Sequence, residues 1–443
     1  MNMDLQAIYK IFRLSSGICI DSRKVSKNSM FIALKGDNFN GNKFASKAIE
    51  NGCTNAIIDD ANYYHNESYI LVDNCLDTLQ KLATFHRKAF NIPVIAITGT
   101  NGKTTSKELI ASVLKKKFNT IATIGNFNNH IGLPLTLLSI NKETEICIVE
   151  MGANHSGEIK QLCEIAQPTS GLITNIGYAH IEGFGSIEGI INAKKELFDY
   201  LVNFNGQLFV NSNSQEVSKL YPGQEEKSYG SSDHSSYIGN ILSCDPFLCI
   251  SWQKKSDLNK SLTLKQNSDS RIIKTNLIGS YNFENVMSAI CLGDYFNVDD
   301  QLIKEGIEEY SPDNNRSQYY KSGNNDIFLD AYNANPTSMI AALDNFLKLN
   351  SKNKVIILGD MLELGISSKE EHIKIIKYIS NNRFQSVFLV GKIFSSLNLP
   401  EDYTAFENTS FLKEYLKKNN IKSSSILLKG SRKIGLEDLR DVL

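Results

Sequence analysis

No two of the eight cysteines in this 443-residue chain are spaced as Cys-x-x-Cys. They are scattered, and Cys53, Cys75, Cys147, Cys163, Cys244, Cys249 and Cys291 sit mostly in apolar surroundings. That excludes a disulfide-stapled scaffold or a zinc finger and implies reduced core thiols. An excess of charge of either sign is also lacking, with 47 Lys and Arg against 48 Asp and Glu and a formal net charge of -1. Without an overall field to hold a polyanion, nucleic acid is a poor partner. Nowhere does the chain carry the roughly 18 consecutive apolar residues that a membrane span requires. The opening stretch MNMDLQAIYKIFRLSSGICIDSRK has no basic start followed by an unbroken apolar run, so no secretory leader is expected and the reading is cytoplasmic. Internal repeats, heptads and low-complexity tails are absent as well.

What is present is more than one ordinary core can hold, so two or three domains are expected. The pattern is α/β in three domains. The first, residues 1–90, is a small α/β unit with short strands at Met30–Leu34, Ala56–Ile58 and Tyr69–Val72 and helices at Phe44–Asn51 and from about Cys75 to Phe90. Asn91-Ile92-Pro93 reads as a linker, because proline disfavours helix in the residue before it. The second, residues 91–308, carries buried-looking strands at Val94–Ile97, Ile146–Glu150, Gly171–Ile176 and Gln207–Val210. Continuous apolar strands separated by helical stretches predict a mostly parallel sheet covered on both faces. The alternating stretches IGNILSCDPFLCISW and SLTLKQ predict antiparallel excursion strands, and Asn282–Phe296 predicts a helix. The third domain, residues 309–443, repeats the strand pattern at Asp326–Leu329, Lys354–Leu358, Ser386–Val390 and Ser425–Lys429. It predicts a C-terminal Rossmann-like α/β sheet without the dinucleotide fingerprint.

The strongest local signal is Gly99-Thr100-Asn101-Gly102-Lys103-Thr104-Thr105, which follows the Val94–Ile97 strand and opens a helix. That is the context of a phosphate loop. Gly99 and Gly102 let the backbone turn its N–H groups inward. Lys103 can neutralise β- and γ-phosphates, and the Thr104 hydroxyl can take a Mg²⁺ position, with Thr105 as its alternative. The general pattern would place a further glycine at Ile97, so this is the shorter GxxGK[ST] form. A phosphate loop alone predicts nucleotide binding, which a kinase, a motor, a ligase or a regulatory module coupling ATP to domain motion could equally use.

Further stretches choose among these. ITGTNGKTT, IVEMGANHSGEI (148–159), TNIGYAHIEGFGS (174–186), INAKKELF (191–198), GSYNFENVMSAI (279–290), DAYNANPTSM (330–339) and GDMLELG (359–365) occur in one order along nearly the whole chain. Together they resemble the Mur ligase family of ATP-dependent amide-forming enzymes. The third-domain stretches are most similar to the branch that joins D-alanyl-D-alanine to a UDP-N-acetylmuramoyl-tripeptide in cell-wall synthesis. A sister branch adding a diamino acid would be expected to carry a DNPR-type segment in the third domain, and this sequence has none.

The resemblance implies a set of roles. ATP would sit on the phosphate loop. Glu150 and His180 would be Mg²⁺ ligands, with Asn175 and Glu182 near the site. Lys194 would be carbamylated by CO₂, which turns a cation into an anionic, carboxylate-like group suited to positioning Mg²⁺; the neighbouring Lys195 falls on another helix face. Without the resemblance both lysines read as solvated surface residues. Asn282 would contact the nucleotide, with Asn285 bracing the turn. Tyr281 stands where the family usually has histidine. Arg316 would reach the phosphates when domains close, and Asp330 would join the nucleotide's hydrogen-bond network. Tyr332, Asn333, Asn335 and Pro336 would shape the loop for the incoming dipeptide, and polar residues of GDMLELG, with His372 further on, would line the site wall. In the first domain, which resembles a UDP-sugar-binding domain, Ser22 and Arg23 would hold the diphosphate, and Lys35 and Gly36 would stand at a strand end where the ligand approaches the backbone. Lys103, Lys194 and His180 would carry the catalysis, and a monomer is expected.

Overall fold

The computed structural model describes residues 3–177, 181–223, 227–258, 271–351 and 353–443. Three parallel-rich sheets follow one another along the chain. The first has β1 (Ile18–Cys19), β2 (Met30–Ile32), β3 (Asn55–Ile58) and β4 (Tyr69–Leu71) in that spatial order, all parallel. Among the helices that flank it, two are long. In α1 (Leu5–Leu14), Ile8 and Phe12 are one turn apart and buried, and the Asp4 carboxylate caps the start by accepting from Ala7 N. The sequence reading did not anticipate this helix. The second, α2 (Cys75–Lys88), is capped by Asn74 and closely matches the expected helix.

The central sheet contains β5 (Val94–Thr98), β6 (Thr120–Ala122), β7 (Ile146–Glu150), β8 (Ser170–Ile173), β9 (Gln207–Asn211), β10 (Ser228–Gly230), β11 (Tyr237–Cys244), β12 (Phe247–Lys254) and β13 (Ile272–Ile278). Their order is β13-β12-β11-β10-β9-β8-β5-β7-β6, parallel except where β12 runs against β11 and β13. The expected antiparallel excursion is therefore β11 and β12, while SLTLKQ lies outside the described residues. Its covering helices include α3 (Lys103–Leu114), α4 (Ile187–Asn203), α5 (Phe283–Tyr295) and α6 (Asp300–Glu308). Side chains of β5 alternate between two cores. Val94 and Ala96 join the cluster that also holds the N-terminal domain's Leu79 and Leu82, whereas Ile95 and Ile97 pack with α3 and α5. The N-terminal domain thus shares a continuous apolar core with one face of the central sheet.

β8 ends at Ile173, three residues before the expected end. The next residues turn away from the sheet because the Thr174 hydroxyl and the Asn175 amide both bond to the carbonyl of Asn101, at 2.6 and 3.0 Å. Strand register is given up there to hold the phosphate loop.

The third sheet has β14 (Gln318–Ser322), β15 (Asn325–Asp330), β16 (Lys354–Gly359), β17 (Ser386–Val390), β18 (Tyr403–Phe406) and β19 (Ser425–Lys429). Its order is β14-β15-β19-β16-β17-β18, with only β14 antiparallel. Among its helices are α7 (Pro336–Lys348) and α8 (Ser368–Ser380). Strand residues again alternate between two apolar clusters, Ile356 and Leu358 in one and Val355 and Ile357 in the other. No described helix is long and apolar enough to cross a membrane.

Candidate active site

Ligands of open parallel sheets bind beyond the carboxyl ends of the strands. Here two such edges face each other. A cavity of about 750 Å³ lies between the ends of β5, β7 and β8 on one side and the ends of β15 and β19 on the other. Residues 99–105, Glu150, Lys194, Asn282, Arg316, Asp330, Tyr332, Asn333 and Asn335 all line it. Ser22, Arg23, Lys35 and Gly36 do not. Arg23 donates two hydrogen bonds to the Asp21 carboxylate with its side chain 85% exposed, and Lys35 pairs with Asp59 at 2.8 Å. His180 lies outside the described residues.

The phosphate loop depends on its glycines. Gly99 has φ +142°, and a Cβ there would stand 2.0 Å from the Thr174 hydroxyl; at Gly102, φ is +80° and a Cβ would stand 2.4 Å from Asn285 Oδ1. No side chain caps the start of α3, so its first N–H groups face the cavity mouth without a local acceptor from the cap position. Lys103 curls back, donating from Nζ to the carbonyls of Gly99 at 2.7 Å and Thr100 at 3.0 Å. Those oxygens hold the ammonium where phosphate oxygens would replace them. Burial lowers its pKa, the Glu150 charge opposes that shift, and Arg316 adds to it.

Glu150 closes β7 and is only 2% exposed. Its Oε1 accepts from Asn128 Nδ2 at 2.9 Å, while Oε2 is buried with no hydrogen-bond partner among the described residues. A buried, unpartnered carboxylate oxygen in a cavity that Thr104 also lines fits a hard divalent cation such as Mg²⁺, which takes oxygen ligands. No cluster of three or more His, Cys, Asp or Glu side chains suited to a metal occurs among the described residues, so the rest of the coordination would fall to phosphates, water or residues outside them.

Lys194 is 3% exposed on α4, with Nζ 5.4 Å from the centre of the Phe184 ring. Burial, and next the Lys103 charge, pull its pKa down to about 7. Lys195, by contrast, is paired with Asp199 and Tyr221 at the surface. The two neighbouring lysines therefore have opposite environments.

Asn282 uses its amide hydrogens internally, to the carbonyl of Ile278 at 2.8 Å and to Ser317 Oγ at 3.0 Å, and its Oδ1 accepts from Asn285. Asn285 Oδ1 in turn accepts from Ser106 of α3 at 2.9 Å. Both asparagines brace the phosphate loop and the domain junction, and what Asn282 presents to the cavity is its remaining surface. Across the cavity Asp330 pairs with Lys429 at 2.7 Å, and Lys429 also bonds the carbonyl of Asn333. The Arg316 guanidinium stacks 3.7 Å from the Tyr332 ring centre, with Arg432 at 5.5 Å. His372 lies beneath the cavity wall. It bonds the carbonyl of Ser368 and the amide of Met361, and burial lowers its pKa.

Sequence reasoning missed Lys429 and Asn128. Lys429 had the same signal as Glu150, a charged residue closing an apolar strand. Asn128 sits in a polar loop whose spacing carries no such mark.

Known proteins resemble this chain over nearly its whole length. Residues 15–87 match the model for the Mur ligase family catalytic domain, 97–293 the Mur ligase middle domain and 315–432 the Mur ligase glutamate ligase domain. A UDP-N-acetylmuramoyl-tripeptide–D-alanyl-D-alanine ligase from Bacillus subtilis (strain 168) is 34% identical over 96% of this chain and 92% of its own. The chain belongs to the Mur ligase family. The ligase of the same name from Escherichia coli (strain K12) is 29% identical over 95% of this Mur ligase and 92% of its own length. Among solved structures, MurF from Acinetobacter baumannii superposes with a TM-score of 0.84 at 26% identity, covering 100% of this chain and 99% of that one. The three-domain α/β fold expected from the sequence is thus the family's own.

Proposed function

We infer that this Mur ligase is an ATP-dependent ligase that forms an amide bond between UDP-N-acetylmuramoyl-tripeptide and D-alanyl-D-alanine, releasing ADP and phosphate. The observation that carries this reading is the meeting, in one cavity, of the phosphate loop with the NANP turn of the third domain, joined by the Asn335 Nδ2 to Asn101 Oδ1 bond of 2.8 Å. The full-length likeness to ligases bearing that activity supports the choice of substrates. A nucleotide-linked precursor also supports a cytoplasmic location.

A carboxylate is a poor acyl donor because its oxide is a poor leaving group. Transfer of the γ-phosphoryl group of ATP to the peptide's terminal carboxylate gives an acyl phosphate and ADP. The amine of D-alanyl-D-alanine then attacks that carbonyl, and the tetrahedral intermediate collapses with loss of phosphate and a proton. Lys103 exchanges its loop carbonyls for β- and γ-phosphate oxygens and neutralises charge gathering on the transferring group. Arg316, Asn282 and Asp330 complete the nucleotide's surroundings, and Tyr332, Asn333 and Asn335 place the dipeptide. Thr104 and Glu150, with His180, would hold Mg²⁺, which supplies further charge neutralisation when bound. Ser22, Arg23, Lys35 and Gly36 would take the distant diphosphate end of the precursor.

Lys194 fits a carbamate. Burial pulls its pKa down to about 7, so a sizeable share of the amine is neutral near pH 7 and its lone pair can add to CO₂ with loss of a proton. The resulting anion would offset the Lys103 charge that now disfavours a second cation.

Two measurements test the reading. Phosphate release with ATP, Mg²⁺ and UDP-N-acetylmuramoyl-tripeptide should depend on D-alanyl-D-alanine and be slow with meso-diaminopimelate or lysine. The reverse preference would move the protein to a sister branch. Lys194→Ala should lose activity and regain part of it with a short added carboxylate; full activity without rescue would remove the carbamate.

A further inference from the structure

The helix that begins at the phosphate loop has a second attachment that the ligase reading does not use. Glu108, Ser112 and Lys116 follow one another at four-residue intervals, so they share a face running from the middle of α3 to just beyond its end. Each is bonded to α6 or to the segment that leads from it into the third domain. The Glu108 carboxylate accepts from Tyr310 Oη at 2.5 Å and from Asn314 Nδ2 at 3.1 Å to each oxygen. Ser112 Oγ donates to the carbonyl of Gly306 at 2.6 Å, and Lys116 pairs with Glu309 at 2.6 Å. Isolated polar bonds on a helix face are ordinary. Ser112 and Lys116 fix α3 to the end of α6, and Glu108 alone reaches the connector beyond it, at Tyr310 and Asn314.

That connector delivers Arg316. The residues on either side, Asn315 and Ser317, both have left-handed backbone, φ 59° and 50°, without being glycine. Such a conformation costs on the order of 1 kcal/mol or more and persists only where its surroundings hold it. Here the Asn315 carbonyl accepts from the amides of Ala331 and Tyr332, and Ser317 is gripped by Asn282 and Asp330. The outcome is an Arg316 guanidinium flat on Tyr332, lining the cavity, with Nε buried and unpartnered among the described residues.

We propose that Glu108 is a positioning residue for the ligase reaction. It anchors the connector to α3, so that the place of Arg316 relative to Lys103 and Thr104 is set by one rigid helix instead of by the length of a loose link. Glu108 does not line the cavity and touches no substrate; it acts through the arginine. This rests on the reading of Arg316 as a phosphate contact.

A double-mutant cycle in steady-state kinetics tests it, with melting temperature followed for every variant. Glu108→Ala should lower kcat about tenfold with the KM for ATP changed by less than about threefold, and Glu108→Gln, which keeps an acceptor for Tyr310, should recover most of the loss. In an Arg316→Ala background, Glu108→Ala should cost less than about twofold. If Glu108→Ala does not fold, Tyr310→Phe, which removes a single hydroxyl, takes its place in the same cycle. Equal loss in both backgrounds, or parental kcat in the Glu108 variant, would overturn the proposal. Parental kcat in Arg316→Ala alone would refute the arginine's role, and the anchor's role with it.

Discussion

The side-chain amide of Asn335 donates to Asn101 Oδ1 at 2.8 Å, joining the N-cap of α7 to the phosphate loop. The same asparagine accepts from Ser338 N at 2.9 Å in a capping box. One residue therefore serves helix stability and the meeting of two domains.

These two roles separate by substitution. Asn335→Ala should cost about 1 kcal/mol of stability through the lost cap, whereas Asn335→Ser, itself a good cap, should stay within a few tenths. Both remove the amide that reaches Asn101, so both should raise the KM for D-alanyl-D-alanine by a similar factor. Chemical denaturation and kinetics on the pair check this. A normal KM in the serine variant would mean that the inter-domain bond is idle.

Glu150 keeps one buried oxygen without a hydrogen-bond partner among the described residues. In metal-free buffer, Glu150→Gln should be as stable as the parent or more so, by about 1–2 kcal/mol, because a buried ionised oxygen is replaced by a neutral group. Mg²⁺ with nucleotide should reverse the order by stabilising the parent selectively, and the variant should lose about a hundredfold or more in kcat. Thermal melts with and without Mg²⁺ read the first effect. Identical Mg²⁺ responses would show that this carboxylate does not bind the ion.

Lys194 titrates near 7 in the folded chain and at 10.5 when unperturbed. Between these values the unfolded chain holds the extra proton, so stability rises with pH across that window; below pH 7 both states are charged and the full penalty of burial applies. In CO₂-free buffer, Lys194→Met should therefore exceed the parent by on the order of 3 kcal/mol at pH 6. The advantage should shrink as the pH approaches 10. A difference independent of pH would contradict the buried-amine account.

Asp330 and Lys429 form a pair in which the lysine side chain is 2% exposed. Lys429→Met strands the aspartate and should cost about 3–5 kcal/mol. Asp330→Leu in the same chain should return most of that stability without restoring activity. Urea denaturation of the single and double variants measures the coupling.

The phosphate loop was legible because its chemistry demands glycines at fixed places beside an apolar strand. Parallel strands were legible for a related reason: the runs ICIV and ILL, just before the closing Glu150 and Lys429, are unbroken and apolar because both faces are covered. Their closing residues mark the site, and the sign was heeded at Glu150 and missed at Lys429. Lys194 was not legible from the residues alone, since AKKE reads as a solvated face; only its resemblance to a family singled it out, and tertiary packing under Phe184 makes it buried. The left-handed backbone at Asn315 and Ser317 had no glycine to announce it. Long-range bonds such as Ser106 to Asn285, 179 positions apart, leave no local trace at all.

The apolar cluster shared by the N-terminal domain and one face of the central sheet limits how this architecture can be rearranged. Val94, Ala96, Cys147 and Val149 are kept dry partly by residues that belong to another sequence module. Exchanging the first domain would therefore mean repacking that seam as well, because the side chains that keep it dry come from both modules.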